Sequence, residues 1–161
     1  MGQDNLLFKK ENRIATITLN RPEVRNAMGL DERVRLIELV QAAEDDPEIR
    51  VLIITGAGVA FCSGGDVKTM PERAQKPIAE RKRELVKAGA IIIHKLRTMD
   101  KPVIAMVNGA AVGMGLSLAL GCDIRIASEA ARFGAVFSRI GVSTDFGCAY
   151  LLTHLAGTAK A

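Results

Sequence analysis

The chain has 161 residues, 48% hydrophobic and 25% charged, which is enough apolar material for one ordinary globular domain. Lys and Arg number 22 against 18 Asp and Glu, a net charge of +4 with no basic run interleaved with aromatics, so anionic small molecules are expected as partners and nucleic acid is not. Cys62, Cys122 and Cys148 lack C-x-x-C spacing and point to neither a disulfide framework nor a metal site, and no apolar run reaches bilayer length, so a soluble chain without membrane contact in the reducing cytoplasm is expected.

Residues 6–9 and 14–19 read as the strands of a hairpin turning at Glu11 and Asn12, with Ile14, Thr16 and Thr18 alternating against Ala15, Ile17 and Leu19. A polar loop holding Pro22 covers residues 20–26. Asp31 then caps a helix with Val34, Ile37, Val40 and Ala43 near helical spacing, and Asp45, Asp46 and Pro47 end it. The run VLIIT, residues 51–55, reads as a buried strand, and a helix crossing between two apolar strands begins a parallel βαβ arrangement, so the fold class is α/β. The segment PERAQKP, bracketed by Pro71 and Pro77, reads as a mobile loop. Residues 78–99 have the pattern of a long amphipathic helix, with Leu85, Ala88, Ile92 and Leu96 on one face and Lys82, Arg83 and Lys87 on others. A second buried strand is expected at 102–107, an apolar helix at 116–120, strands at 122–127 and 132–135, and a last helix at 145–155. No unit repeats at a fixed period.

Two places break this pattern in the same way. After the strand at 51–55 come Gly56, Gly58, Gly64 and Gly65, and after the strand at 102–107 come Gly109, Gly113 and Gly115. Glycines cost backbone entropy, so this density implies positive φ angles or a backbone that comes close to another group. Two strand, glycine turn, helix units can present two sets of backbone N–H donors to one oxyanion, which serves enolate or tetrahedral-anion chemistry; alternatively the glycines only turn the chain. Dinucleotide binding fails on the residues, because Gly56, Ala57, Gly58 is not followed by the third glycine of G-x-G-x-x-G, and no G-K-[ST] occurs for a P-loop. The run GLSLA, residues 115–119, lacks the final glycine of a nucleophile elbow. Cys62 reads as a small buried residue rather than a reactive thiol, and His94 and His154 read as structural.

Asn20, Arg21, Pro22 with Asn26 and Ala27, then ITGAGVAFCSGGD, then KPVIAMVNGAAVGMGLSLALGCDIRIAS, resemble in order and spacing the crotonase family of enoyl-CoA hydratases and isomerases, from about Phe8 to Ala161. The resemblance implies a crotonase-like spiral of ββα units with a further C-terminal helical region that this chain lacks, and a homo-oligomer, trimer or hexamer. It implies an acyl-CoA thioester substrate, with coenzyme A brought as part of that substrate, no covalently bound cofactor and no metal. The thioester oxygen would sit in an oxyanion hole made by the N–H groups of Gly65 and Met114, Met114 standing where glycine is frequent. The CoA arm would lie along Val24, Arg25 and Ala27 and along Gly65, Asp66, Val67 and Lys68. Arg25 or Lys68 then pairs with a CoA phosphate or stays a solvated cation, and Asp66 reads the ligand or serves as a cap or loop acceptor.

Hydratases of this family use two glutamates, and the corresponding positions here hold Ser117 and Phe137, neither of which is a general base. The acid that remains in the region is Asp145, in IGVSTDFG, where some family isomerases and dehalogenases carry a functional aspartate; a dehalogenase's helper histidine is replaced by Ala90. Desolvation by Val142 and Phe146 would raise the Asp145 pKa to suit a base, or else Asp145 caps the last helix with Ser143 or Thr144. The expected activity is enoyl-CoA double-bond isomerisation with Asp145 as base. The alternatives are hydratase or lyase action on another acyl-CoA, and CoA-thioester binding without turnover.

Overall fold

The computed structural model describes residues 4–69 and 75–161. Strands β1 (Leu6–Glu11) and β2 (Ile14–Leu19) form the antiparallel hairpin, Leu6 opposite Leu19 and Glu11 opposite Ile14. It turns at Asn12 and Arg13, one residue later than expected, because these two adopt left-handed φ angles of 50° and 66°, as a tight two-residue hairpin loop requires. Ala15, Ile17 and Leu19 are buried, as their alternation predicts.

Helix α1 (Leu30–Asp45) starts at Gly29 rather than at an Asp31 cap, and the Gly29 N–H donates to Glu32 Oε2 at 2.7 Å. Its inner face carries Arg33, Leu36, Leu39, Val40 and Ala43, and Val34 is 46% exposed. Burying Leu36 and Leu39 together turns the helix so that Val34 points out. The carbonyls at its far end are closed by Lys101, whose Nζ donates to Ala43 O, Glu44 O and Asp46 O at 2.8, 2.8 and 2.7 Å.

From here three units of similar construction follow. The first has β3 (Val51–Gly56), the short β4 (Ala60–Cys62) and α2 (Ile78–Thr98). Next come β5 (Val103–Val107), β6 (Ala110–Val112) and α3 (Met114–Gly121), then β7 (Ile124–Ala127), β8 (Arg132–Gly134) and α4 (Cys148–Ala156). The long strands join the hairpin in one sheet of order β1-β2-β3-β5-β7, parallel from β2 onward, and the short ones form a parallel sheet of order β4-β6-β8. The chain therefore winds as a spiral of ββα units.

Boundaries shift for local reasons. Cys122 closes α3, so β7 begins at Ile124. The last helix begins at Cys148 rather than at residue 145, because Phe146 and Gly147 have φ of 49° and 69° and cannot continue a right-handed helix. Residues 70–74, most of the expected mobile loop, and the side chains of Lys82, Leu85, Lys87 and Ala88 lie outside the described residues.

Leu36 and Val40 of α1 and Ile92 and Leu96 of α2 pack with Ile17, Ile54 and Ala105 of the larger sheet in one core. Each large aliphatic side chain so buried contributes about 1.5–3 kcal/mol. A smaller cluster of Leu116, Leu120, Phe137, Cys148 and Leu151 joins α3 to α4. Among the described residues no helix is long and apolar enough to cross a membrane.

Candidate active site

Pairing of β4 with β6, Ala60 opposite Ala110 and Cys62 opposite Ala111, brings the two glycine turns side by side. Gly64 has φ of 106°, and a Cβ there would lie 3.0 Å from Val112 O and 3.6 Å from Met114 N. A Cβ on Gly115 would lie 2.1 Å from Cys62 O, so α3 rests directly on the end of β4. Only glycine permits either approach.

The amides of the two turns have different reasons to be unspent. Met28 N–H donates to Gly64 O at 2.9 Å and Asp66 N–H donates to Met28 O at 3.1 Å, a parallel bridge centred on Gly65. Peptide groups alternate sides along an extended chain, so the N–H of Gly65 points away from Met28. Met114 is the first residue of α3, where helix geometry offers its N–H no partner. Among the described residues neither amide donates a backbone hydrogen bond.

Asp145 is held beside this arrangement by its backbone. Ser117 Oγ lies 3.3 Å from Asp145 O, and Cys148 N–H donates to the same carbonyl at 2.9 Å. The side-chain oxygen Oδ1 is buried and has no hydrogen-bond partner among the described residues. Burial pushes its carboxyl pKa up, and the Arg33 guanidinium works against that shift. Its side chain does not cap the helix, since Gly147 precedes α4 and no side-chain cap bond is made there. Of the two apolar neighbours, Phe146 is buried and Val142 is 43% exposed.

Ser117 and Phe137 both border the Met114 turn. Ser117 is fully buried, with Oγ 3.2 Å from Gly113 O, and the Phe137 ring would lie 3.9 Å from a Cβ on Gly113. A hydroxyl and an aromatic ring thus border this turn, and neither is a general base near neutrality.

A groove of about 350 Å3 gathers Val24, Arg25, Ala27, Asp66, Val67 and Lys68 beside Gly65. Asn26, buried behind the groove, braces one wall: its Oδ1 accepts from Arg21 N–H at 2.9 Å and its Nδ2 donates to Ala57 O and Ala60 O at 2.9 and 2.8 Å. Asp66 is turned into the other wall, with Oδ2 3.2 Å from Arg21 Nη1 and Oδ1 accepting from Lys68 N–H at 3.2 Å. Arg25 and Lys68 are exposed, and among the described residues neither forms an ion pair. A larger groove, about 700 Å3 between α2 and α4, holds His94 and His154 but none of Gly65, Met114 and Asp145. Burial pushes the Cys62 thiol up to about 12, so it offers no thiolate near neutrality.

Arg33 was not singled out in the sequence. Its signal is a basic residue in phase with Leu36, Val40 and Ala43, a charge placed on the apolar stripe of α1.

The wound ββα units define a crotonase-like α/β fold, and an enoyl-CoA hydratase from Polaromonas sp. JS666 shares it, with a TM-score of 0.87 and 37% identity over 92% of this chain and 58% of that one. The chain belongs to the enoyl-CoA hydratase/isomerase family, whose model matches residues 9–161. It is 37% identical to a crotonyl-CoA hydratase of Syntrophomonas wolfei, over all of this chain and 61% of the relative. It is equally 37% identical to a 1,2-epoxyphenylacetyl-CoA isomerase of Escherichia coli, over 97% of this chain and 60% of that protein. The chain thus spans about three-fifths of the curated relatives it matches. Their names include both hydratase and isomerase.

Proposed function

We propose that this chain carries the thioester-binding and proton-transfer site of an enoyl-CoA isomerase, with Gly65 and Met114 as the oxyanion hole and Asp145 as the base. The observation that carries this reading is the buried Asp145 Oδ1, without a hydrogen-bond partner among the described residues and set near two unspent amides, while the two other candidate positions are Ser117 and Phe137. The thioester oxygen of a 3-enoyl-CoA accepts from both N–H groups. Asp145 takes a proton from the α carbon, and the electron pair moves onto the thioester oxygen as a dienolate. The same carboxyl returns the proton at the γ carbon, giving the conjugated 2-enoyl thioester. One base suffices, and a carboxyl raised by burial suits work nearer neutrality.

The CoA arm lies along the groove of Val24, Arg25, Ala27, Asp66, Val67 and Lys68, with Arg25 and Lys68 free to face its phosphates. Asp66 shapes the wall through Arg21 rather than reading the ligand. Exposed apolar residues on the outer strands, Ile124, Ile126 and Phe133, fit burial between copies in a homo-oligomer, and three free buried cysteines fit a cytoplasmic setting.

Proton NMR of a 3-enoyl-CoA in deuterated buffer tests the reading. Conversion to the 2-enoyl thioester with deuterium uptake is expected. A 3-hydroxyacyl product from a 2-enoyl-CoA would make the chain a hydratase, and calorimetric binding with neither conversion nor exchange would make it a thioester-binding protein.

A further inference from the structure

Arg33 is 3% exposed, a burial that a guanidinium tolerates only when its charge is engaged. Its Cζ lies 5.3 Å from the centroid of the Phe146 ring, the residue that follows Asp145. Its Nη2 is 3.4 Å from Met28 O, at the bridge to Gly65, and stands 3.1 Å from where a Cβ on Gly65 would be. One side chain from α1 therefore touches both the turn that presents the Gly65 amide and the loop that carries Asp145. Phe146 also packs on Gly89 of α2, where an added Cβ would come within 2.9 Å of the ring. Its φ of 49° is a conformation a bulky residue keeps only when its surroundings hold it.

We propose that Arg33 is a positioning residue of the proton-transfer site: its guanidinium, set between Gly65 and Phe146, locks the Asp145 loop against the amide turn and brings a buried cation to that loop. The proposal rests on the reading of Asp145 as the base. A buried carboxyl with an unpartnered oxygen would take up a proton unless a cation offset the lost hydration. Among the described residues, the groups that meet Asp145 are the Arg33 guanidinium from α1, the Cys148 thiol from α4 and, at its backbone carbonyl, the Ser117 hydroxyl from α3; Gly89, the α2 residue packed on Phe146, brings no charge. Of these, the cation is Arg33. Replacing it by lysine keeps the charge but loses the flat contact with the Phe146 ring.

The test compares wild type, Arg33→Met, Arg33→Lys and Asp145→Asn by thioester α-proton exchange against pH, and by a 13C-carboxyl titration of Asp145 without substrate. For Arg33→Met, the acidic limb of exchange moves up by about one pH unit, a roughly tenfold slower exchange below it, while KM changes by less than about threefold. Arg33→Lys recovers most of that shift. An unchanged limb in Arg33→Met, or a rise in KM alone, overturns the proposal. If Asp145→Asn exchanges like wild type, the base reading fails and Arg33 loses its role with it; if Asp145→Asn is silent while Arg33→Met behaves as wild type, only the Arg33 proposal fails. Should Arg33→Met not fold, Arg33→Gln takes its place: the same upward move of the acidic limb is expected, and an unchanged limb overturns the proposal.

Discussion

Ser117 Oγ sits 3.2 Å from Gly113 O and 3.3 Å from Asp145 O, so one buried hydroxyl ties the turn that presents the Met114 amide to the loop that carries the carboxylate. Both acceptors are backbone carbonyls, which makes the hydroxyl a spacer between turn and loop and not a proton carrier. Ser117→Ala is expected to cost about 1 kcal/mol in thermal unfolding, the worth of one such bond, and to leave α-proton exchange within about tenfold of wild type. A complete loss of exchange in a folded Ser117→Ala protein would make the hydroxyl a participant.

Gly115 is where α3 meets β4 with no room for a side chain. Because a Cβ would stand 2.1 Å from Cys62 O, Gly115→Ala must push the helix off the strand and carry the Met114 amide with it. The expected cost is about 1–3 kcal/mol in denaturant unfolding, accompanied by a loss of exchange of tenfold or more. Gly141→Ala is the control: its φ is 68° but its Cβ position is open, so it loses about 1–2 kcal/mol without affecting exchange.

The raised pKa of Asp145 makes a signed prediction about stability. Its folded value lies above its unfolded one, so the native state binds the extra proton between the two. The stability this lends is complete below the unfolded pKa and is lost as pH rises through the folded pKa. Asp145→Asn should therefore gain on wild type as pH is raised from about 4 to about 8, read as the difference in Tm between the two proteins. A difference that stays constant over that range would mean the carboxyl is not perturbed by folding.

Asn26 holds the groove wall through one accepted and two donated bonds while only 1% exposed, and its φ of 57° suits asparagine better than most residues. Asn26→Ala leaves Arg21 N–H and Ala57 O short of a partner, while Ala60 O keeps Asn108 Nδ2 at 3.2 Å, at a cost of about 2 kcal/mol or more in chemical denaturation. Thioester affinity should fall with it, because Val24, Arg25 and Ala27 flank the same residue. Unchanged stability would show that water replaces the lost bonds.

What was legible in the sequence follows from where the chemistry resides. The roles proposed for Gly65 and Met114 are backbone ones, and a strand running through glycines into a polar or helical stretch marks exposed backbone groups whatever the side chains. Strands β4 and β6 passed unnoticed because three residues are too few to show a period. The end of the Asp145 loop was misplaced because Phe146 takes a left-handed φ, which tertiary contacts with Arg33 and Gly89 impose and no local preference announces. Arg33 itself was hidden by the expectation that charge on a helix faces water. Its phase with Leu36 and Val40 was the clue, and reading the α1 face from Val34 and Ile37 instead obscured it.

The pairing of the Gly65 and Met114 amides on one oxygen is most directly tested by vibrational difference spectroscopy of a bound acyl-CoA carrying a 13C-labelled thioester carbonyl. Two converging donors polarise the carbonyl, so its stretch should move to lower frequency on binding, and Gly115→Ala should return it toward the free value. A bound thioester whose carbonyl stretch matches that in water would contradict an oxyanion hole at these residues.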